Sequence, residues 1–320
     1  MKEDKKWDVL TYGETMAVFL PEQKQRLRYV DTFKKGVAGA ESNVAIGVTK
    51  LGHSSCWISK VGDDELGEYS LKEIRGEGVD VTAVTKEDKA PTGLMIKQFR
   101  PMNETSVFYY RKNSAASTLS SKDVRSDHIR AARIVHITGV TSALSDSCAE
   151  MNYEIASIAK KAGVSLSFDP NIRLKLWDKE KANRALIPLL ELCDIVEMGI
   201  DEAEILLGTD RTDEIIRILR KMNIKKIAIK MGSAGAIVAD TNCVYKIPAY
   251  KVSAVDNIGA GDAFVAGFLC GIIEKKELDI CGKMGALMGA QAVTAAGDIE
   301  GLPDRRKLNM LMDGIQSIHR

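Results

Sequence analysis

A chain of 320 residues with 45% hydrophobic and 28% charged composition can bury a substantial core without disulfides or metals, which excludes fibrous and disordered classes. Forty-five Lys and Arg stand against 44 Asp and Glu, so the formal net charge of +1 gives no overall pull toward nucleic acid or an anionic membrane, and neither partner is expected. Met1 to Trp7 carries alternating charges, and no stretch of about 18 consecutive apolar residues occurs, so the expectation is no signal peptide, no membrane span and a cytoplasmic location.

In chain order, short β-branched runs alternate with longer amphipathic stretches, the pattern of stacked βαβ units around a mainly parallel sheet. A strand is predicted at Asp8 to Tyr12. From Thr15 to Lys35 strand-like segments then follow one another with no helix between them. Val44, Val48 and Leu51 mark a helix, and Ser55 to Val61 the next strand. A second helix-free region, Pro91 to Arg111, reads as a hairpin of Leu94 to Phe99 and Ser106 to Tyr110 around a turn at Pro101 to Glu104. Antiparallel β structure suits both regions. Because they interrupt one α/β domain spanning residues 1–320, they are expected to form a small sheet that closes over a cleft as a lid.

Further strands are predicted at Ile134 to Thr138, Val164 to Phe168, Asp194 to Met198, Lys226 to Lys230, Ala236 to Ala239 and Cys243 to Ile247, and one ending at Val255. Ile155, Ile158 and Ala162, and likewise Ile215, Ile218 and Met222, keep helical spacing. The six cysteines (Cys56, Cys148, Cys193, Cys243, Cys270, Cys281) lack redox or zinc spacing and read as reduced core residues. His53, His128, His136 and His319 lack metal-ligand spacing, and His136, in an apolar run, reads as a satisfied buried histidine.

Asp256, Asn257, Ile258, Gly259, Ala260, Gly261, Asp262 and Ala263 lead into the apolar run Phe264 to Ile273. The glycines permit close backbone approach, and the first-turn amides at the positive end of the helix dipole suit a phosphate. Those amides would also hold Asp262 as a carboxylate, able to take a proton from a hydroxyl beside a transferring phosphoryl group. Helix capping is the other reading of Asp262. No G-x-G-x-x-G follows the first strand, where Tyr12, Gly13 and Glu14 stand, which argues against a dinucleotide dehydrogenase.

The Asp256 to Ala263 run resembles the signature of the ribokinase-like (phosphofructokinase B type) carbohydrate kinases. Gly36, Val37, Ala38, Gly39, Ala40, Glu41, Ser42 and Asn43 resemble that family's first glycine-rich signature. The resemblance covers nearly the whole chain and implies a three-layer α/β/α core with a small β-sheet lid. It implies in-line transfer of the γ-phosphoryl group of ATP to a sugar hydroxyl with Asp262 as base, Mg2+ carried with the nucleotide, room for a monovalent cation, and a homo-oligomer of two or more chains. A catalytically silent sugar-binding protein on the same scaffold is a rival that the intact Asp262 turn opposes.

By the same resemblance, Asn171, Lys230, Gly232, Gly235, Gly259, Ala260 and Gly261 belong to the ATP site. Gly235 could equally serve a β-hairpin. The family's asparagine, any two residues, then glutamate appears as Gly199, Ile200, Asp201 and Glu202, so Glu202 is the candidate for indirect metal contact and also suits a helix first turn.

Three features look like the 2-keto-3-deoxygluconate kinase branch. Ala40 to Asn43 implies substrate contacts from Gly39 and Asn43. Phe108 to Ala115 implies contacts from Tyr109 and Arg111, two residues apart on one strand face and suited to hydroxyls and a carboxylate, with a surface ion pair as the other reading of Arg111. Phe168 to Arg173, with Leu176 and Trp177, resembles a loop shared with fructokinases, and Arg173 there can fork onto a carboxylate or a phosphate oxygen. Asp298, after a helical pattern over Ile280 to Ala296, is a further implied substrate contact or a plain helix end. At Met95 the branch often has a tyrosine, which is absent here. Fructokinase is the nearest alternative.

Overall fold

Strand parity explains the architecture of this protein, seen in a computed structural model that describes residues 5–99 and 105–314. The chain begins with β1 (Trp7–Tyr12), β2 (Met16–Pro21), β3 (Phe33–Ala38) and α1 (Ala40–Lys50). Next come β4 (Ser55–Ile58), β5 (Lys60–Gly62), α2 (Glu65–Gly76), β6 (Thr85–Glu87), β7 (Leu94–Phe99) and β8 (Thr105–Tyr110). The middle of the chain adds α3 (Ser126–Ala131), β9 (Ala132–Thr138), α4 (Gly139–Ser142), α5 (Asp146–Ala162), β10 (Ser165–Asp169), α6 (Lys179–Leu190), β11 (Ile195–Gly199) and α7 (Ile200–Leu207). The last third comprises α8 (Thr212–Lys221), β12 (Lys226–Lys230), β13 (Ala236–Asp240), β14 (Val244–Ile247), α9 (Ala260–Ile273), α10 (Leu278–Ala292) and α11 (Arg305–Met312).

The eight-stranded sheet runs β14-β13-β12-β11-β10-β9-β1-β4. It is parallel from β4 to β12, and β13 and β14 are antiparallel. Alternate residues face opposite layers. Leu10, Val135, Leu166 and Val196 join α5, α6, α7 and α8 in one core, while Val9, Ile134 and Ile195 join α1, α2, α9, α10 and α11 in the other. The result is the expected three-layer α/β/α arrangement. Helix α9 is apolar all round and buried because it packs between α1 and α10.

The small sheet, β3-β2-β7-β8, stands on its own core of Met16, Val18, Leu20, Ala38, Met95 and Phe99. It differs from the sequence reading in two ways. β3 continues past Lys35 to Ala38, and β2 pairs with β7 in parallel. These two strands come from separate insertions, so no tight hairpin sets them in opposite directions. β7 and β8 are antiparallel as expected, and the turn at Pro101 to Glu104 lies outside the described residues. Among the described residues no helix is long and apolar enough to cross a membrane.

Two further expectations are corrected. No strand ends at Val255: its segment is irregular, with the Val255 amide donating to the carbonyl of Val293 (2.7 Å), because a loop rather than a neighbouring strand lies beside it. Cys243 is exposed at the β13–β14 turn, whereas the other five cysteines are buried, and none is in a disulfide.

His136, Ser167 and Glu197 occupy the same inward face on β9, β10 and β11. His136 Nδ1 lies 2.7 Å from Ser167 Oγ, which donates to Glu197 at 3.1 Å, while His136 Nε2 has no partner among the described residues, so the histidine is buried but half satisfied. Burial pushes His136 down to about 4 and Glu197 up to about 8, so both sit neutral in the interior. A glutamic acid protonated in the folded state but ionised when unfolded costs stability as pH rises between its unfolded and folded pKa values. Glu197→Gln is therefore expected to gain in Tm over wild type as pH rises from about 5 to about 8, and a difference that stays flat or shrinks in thermal melts would contradict a protonated Glu197.

Candidate active site

A cleft of about 1160 Å³ opens where the carboxyl ends of β10, β11 and β12 meet the start of α9 and the inner face of the small sheet. Ligand sites of open parallel sheets form at this edge. The turn before α9 needs Gly259: its φ is +86°, and a Cβ there would sit 2.8 Å from the carbonyl oxygen of Asp298. Gly259 and Gly261 line the cleft at the first turn of α9, where helix geometry leaves the leading amides without intrahelical acceptors.

Asp262 lies in the first turn of α9, yet the helix has no side-chain cap. Its carboxylate instead accepts from Asn43 Nδ2 at 2.8 Å and, more loosely, from Asn171 Nδ2 at 3.4 Å. The capping reading is thereby set aside. Burial pushes Asp262 up to about 7, reinforced by the charges of Asp169 and Asp298 and opposed by the Asn43 hydrogen bond and Arg173. The sequence reading expected the helix amides to keep this group a carboxylate, but desolvation outweighs them.

The cleft gathers Gly39, Asn43, Tyr109, Arg111, Asn171, Arg173, Glu202, Lys230, Gly232, Gly259, Gly261, Asp262 and Asp298, candidates that the sequence places on seven separate segments. Gly235 and Ala260 do not line it. Gly235 takes a φ of +93° in the β12–β13 hairpin, the role its position also allowed, and Ala260 is the first residue of α9.

Lys230 at the end of β12 pairs with Asp169 at the end of β10. Burial works against its charge, but Asp169 and Glu202 raise its pKa above the ordinary lysine value. Glu202 accepts the amides of Gly199 (2.7 Å) and Ile172 (2.8 Å), so both oxygens anchor the start of α7 and the loop after β10. Among the described residues no group of three His, Cys, Asp or Glu could hold a metal. Buried Asn43 Oδ1 and Asn171 Oδ1 have no partner among the described residues and lie on the cleft wall, where a ligand can supply one.

Arg111 is buried and gives Nε to Glu14 Oε2 at 2.6 Å, with its Nη2 at 2.5 Å from the same oxygen. Its guanidinium carbon also sits 5.5 Å from the Tyr109 ring centre. The ion pair exists, inside the cleft and not on the surface. Arg173 is exposed at the cleft mouth. Gly39 leaves room for the Glu14 carbonyl, which a side chain would strike.

Two charged residues, Glu14 and Lys97, have no role assigned from the sequence. Glu14 partners Arg111, and Lys97 donates to Asp256 (2.6 Å) and Asp298 (2.7 Å). One signal was available: Lys97 shares strand parity with Met95 and Phe99, so a lysine is directed into the small sheet's core face.

The chain matches the pfkB family carbohydrate kinases over residues 6–305. It belongs to that family. This carbohydrate kinase is 38% identical over 318 residues to the 2-dehydro-3-deoxygluconokinase of Bacillus subtilis, covering 98% of each chain. It is 31% identical over 315 residues to fructokinase-1 of Oryza sativa, covering 95% of this chain and 97% of that one. A crystal structure of an E. coli protein in complex with ATP and Mg2+ superposes with a TM-score of 0.89 at 25% identity, covering 96% of this chain and 99% of that one.

The glycine turn before α9 can be tested by substitution. Gly259→Ala should lower Tm and weaken ATP binding, because it adds a clash to the roughly 1–2 kcal/mol cost of a left-handed non-glycine residue. Gly52 has a similar φ of +81° but open space around it, so Gly52→Ala should show the strain alone. Equal losses for the two in calorimetry and nucleotide titration would mean that the Asp298 contact is irrelevant.

Proposed function

We propose that this kinase transfers the γ-phosphoryl group of ATP to 2-keto-3-deoxygluconate, giving the 6-phosphate, by in-line displacement with Asp262 as general base. The observation that carries the reading is Asp262 itself: a buried carboxyl near pKa 7, held by two asparagine amides beside a glycine turn at a helix start. A base with that pKa can take a hydroxyl proton as the phosphoryl group leaves ATP and release it to solvent afterwards. Direct displacement needs no covalent enzyme intermediate.

Gly259 and Gly261 would admit the phosphates to the α9 amides, and Lys230 and Gly232, which line the same cleft, would face the nucleotide. Mg2+ would come with ATP, held by the phosphates and water. Glu202 would act on that ion only at a distance, since its oxygens are engaged. The small sheet would serve as the lid that excludes water. Its outer face exposes Phe108 and Tyr110, which suits a homo-oligomer.

The keto-acid is favoured by the likeness to the B. subtilis relative and by two arginines, Arg111 and Arg173, at one cleft. A fructokinase is the second reading, favoured by one observation: Glu14 already compensates Arg111.

Two experiments test these statements. Asp262→Asn should bind ATP nearly as wild type while kcat falls by about 100-fold or more, and in the wild type kcat/KM should decline as pH drops below about 7. Near-wild-type turnover in the variant would remove Asp262 as base. For the substrate, Arg111→Met combined with Glu14→Gln deletes the guanidinium without stranding a buried carboxylate. Its kcat/KM for 2-keto-3-deoxygluconate should fall by about tenfold or more, with a much smaller loss on fructose. Equal losses, or a wild-type preference for fructose across a sugar panel, would favour the second reading.

A further inference from the structure

Lys97 is fully buried, and its ammonium lies 2.6 Å from Asp256 Oδ2 and 2.7 Å from Asp298 Oδ1. Asp256 opens the glycine turn before α9, and its other oxygen accepts from Thr105 of β8 (3.1 Å) and the Ile258 amide (3.2 Å). Both strands of the β7–β8 hairpin are thus tied to the phosphate turn. On the far side, Asp298 Oδ2 accepts from Asn43 Nδ2 at 3.1 Å, the same amide that donates to Asp262 at 2.8 Å. A continuous path of three contacts joins Lys97 to the base.

We propose that Lys97 is a positioning residue for phosphoryl transfer: by bridging Asp256 and Asp298 it couples the small sheet to the phosphate turn and, through Asp298 and Asn43, orients Asp262. Stability alone is a poor reason for such a cluster, since apolar side chains of similar volume usually do as well as a buried ion pair. The cluster sits instead at the meeting point of small sheet, phosphate turn and base.

The electrostatics agree with the geometry. Burial opposes the Lys97 charge, but Asp298 and Asp256 raise its pKa, so it stays an ammonium. Asp262 is faced by Asn43 from α1, by Asp169, Asn171 and Arg173 from β10 and its loop, by Lys230 from β12 and by Asp298 after α10. Lys230 pairs with Asp169, and Lys97 pairs with Asp298. Without Lys97, the Asp298 charge would stand uncompensated near Asp262, which would then hold its proton more tightly.

The inference rests on Asp262 as base, and the test separates the two. Rates of sugar phosphorylation are measured against pH for wild type, Lys97→Met, Lys97→Arg and Asp262→Asn. Lys97→Met should lose about tenfold or more in kcat, keep KM for ATP within about threefold, and move the acid limb upward by about half a pH unit or more. Lys97→Arg, whose fork can span both carboxylates, should recover most of the turnover and restore the limb. An acid limb that is unmoved or moves downward in Lys97→Met, beside an inactive Asp262→Asn, overturns the Lys97 inference alone. An active Asp262→Asn overturns the base reading first. Should Lys97→Met fail to fold, Lys97→Met with Asp256→Asn removes one carboxylate together with the ammonium, and a wild-type acid limb in that protein overturns the inference equally.

Discussion

Three buried carboxyl groups, Asp169, Asp262 and Asp298, line the cleft, a fourth, Asp256, is buried behind them on the far side of Lys97 from Asp298, and the mutual repulsion of buried acids is the constraint that the surrounding structure answers. Each answer is different. Asp169 receives Lys230, while Asp256 and Asp298 share Lys97. Asp262 receives only amides, from Asn43 and Asn171. An amide donor orients a carboxylate without adding a positive charge that would depress its pKa severely. The group left without a cation is therefore the one able to take up a proton near neutral pH.

This distribution of partners also joins the parts of the fold. The cations come from β7 in the small sheet and β12 in the main sheet, and the amides from α1 and the loop after β10. Charge compensation beside the cleft thus depends on elements far apart in sequence. Because an unpaired buried charge costs far more than a lost surface ion pair, these contacts hold the small sheet in register with the start of α9.

The same reasoning bears on the choice of sugar. Arg111 contributes donors to the cleft but little net charge, since Glu14 is bonded to it and Ser114 donates to the other Glu14 oxygen. Among the described residues Arg173 has no such partner, and it stands exposed at the mouth. Recognition of an acid group would then rest on hydrogen-bond geometry from Arg111 and on free charge from Arg173, two terms with different dependence on salt.

Much of the fold follows from local chemistry written along the chain. Short apolar runs mark most strands of the main sheet, and the glycine turn before α9 stands out in the sequence because only particular backbone angles fit there. Asp262 was legible for the same reason, being adjacent to that turn. What the chain alone could not express was long-range. The parallel pairing of β2 with β7, the irregular path at Val255 and the exposed Cys243 depend on which segments become neighbours. The partners Glu14 for Arg111 and Lys97 for Asp256 and Asp298 lie 97, 159 and 201 residues apart in sequence. The upward shift of Asp262 likewise arises from burial beneath elements drawn from the whole chain. Backbone preference acts within a few residues, so sequence reports it directly, whereas desolvation and charge pairing act through space and take their values only once the fold has closed.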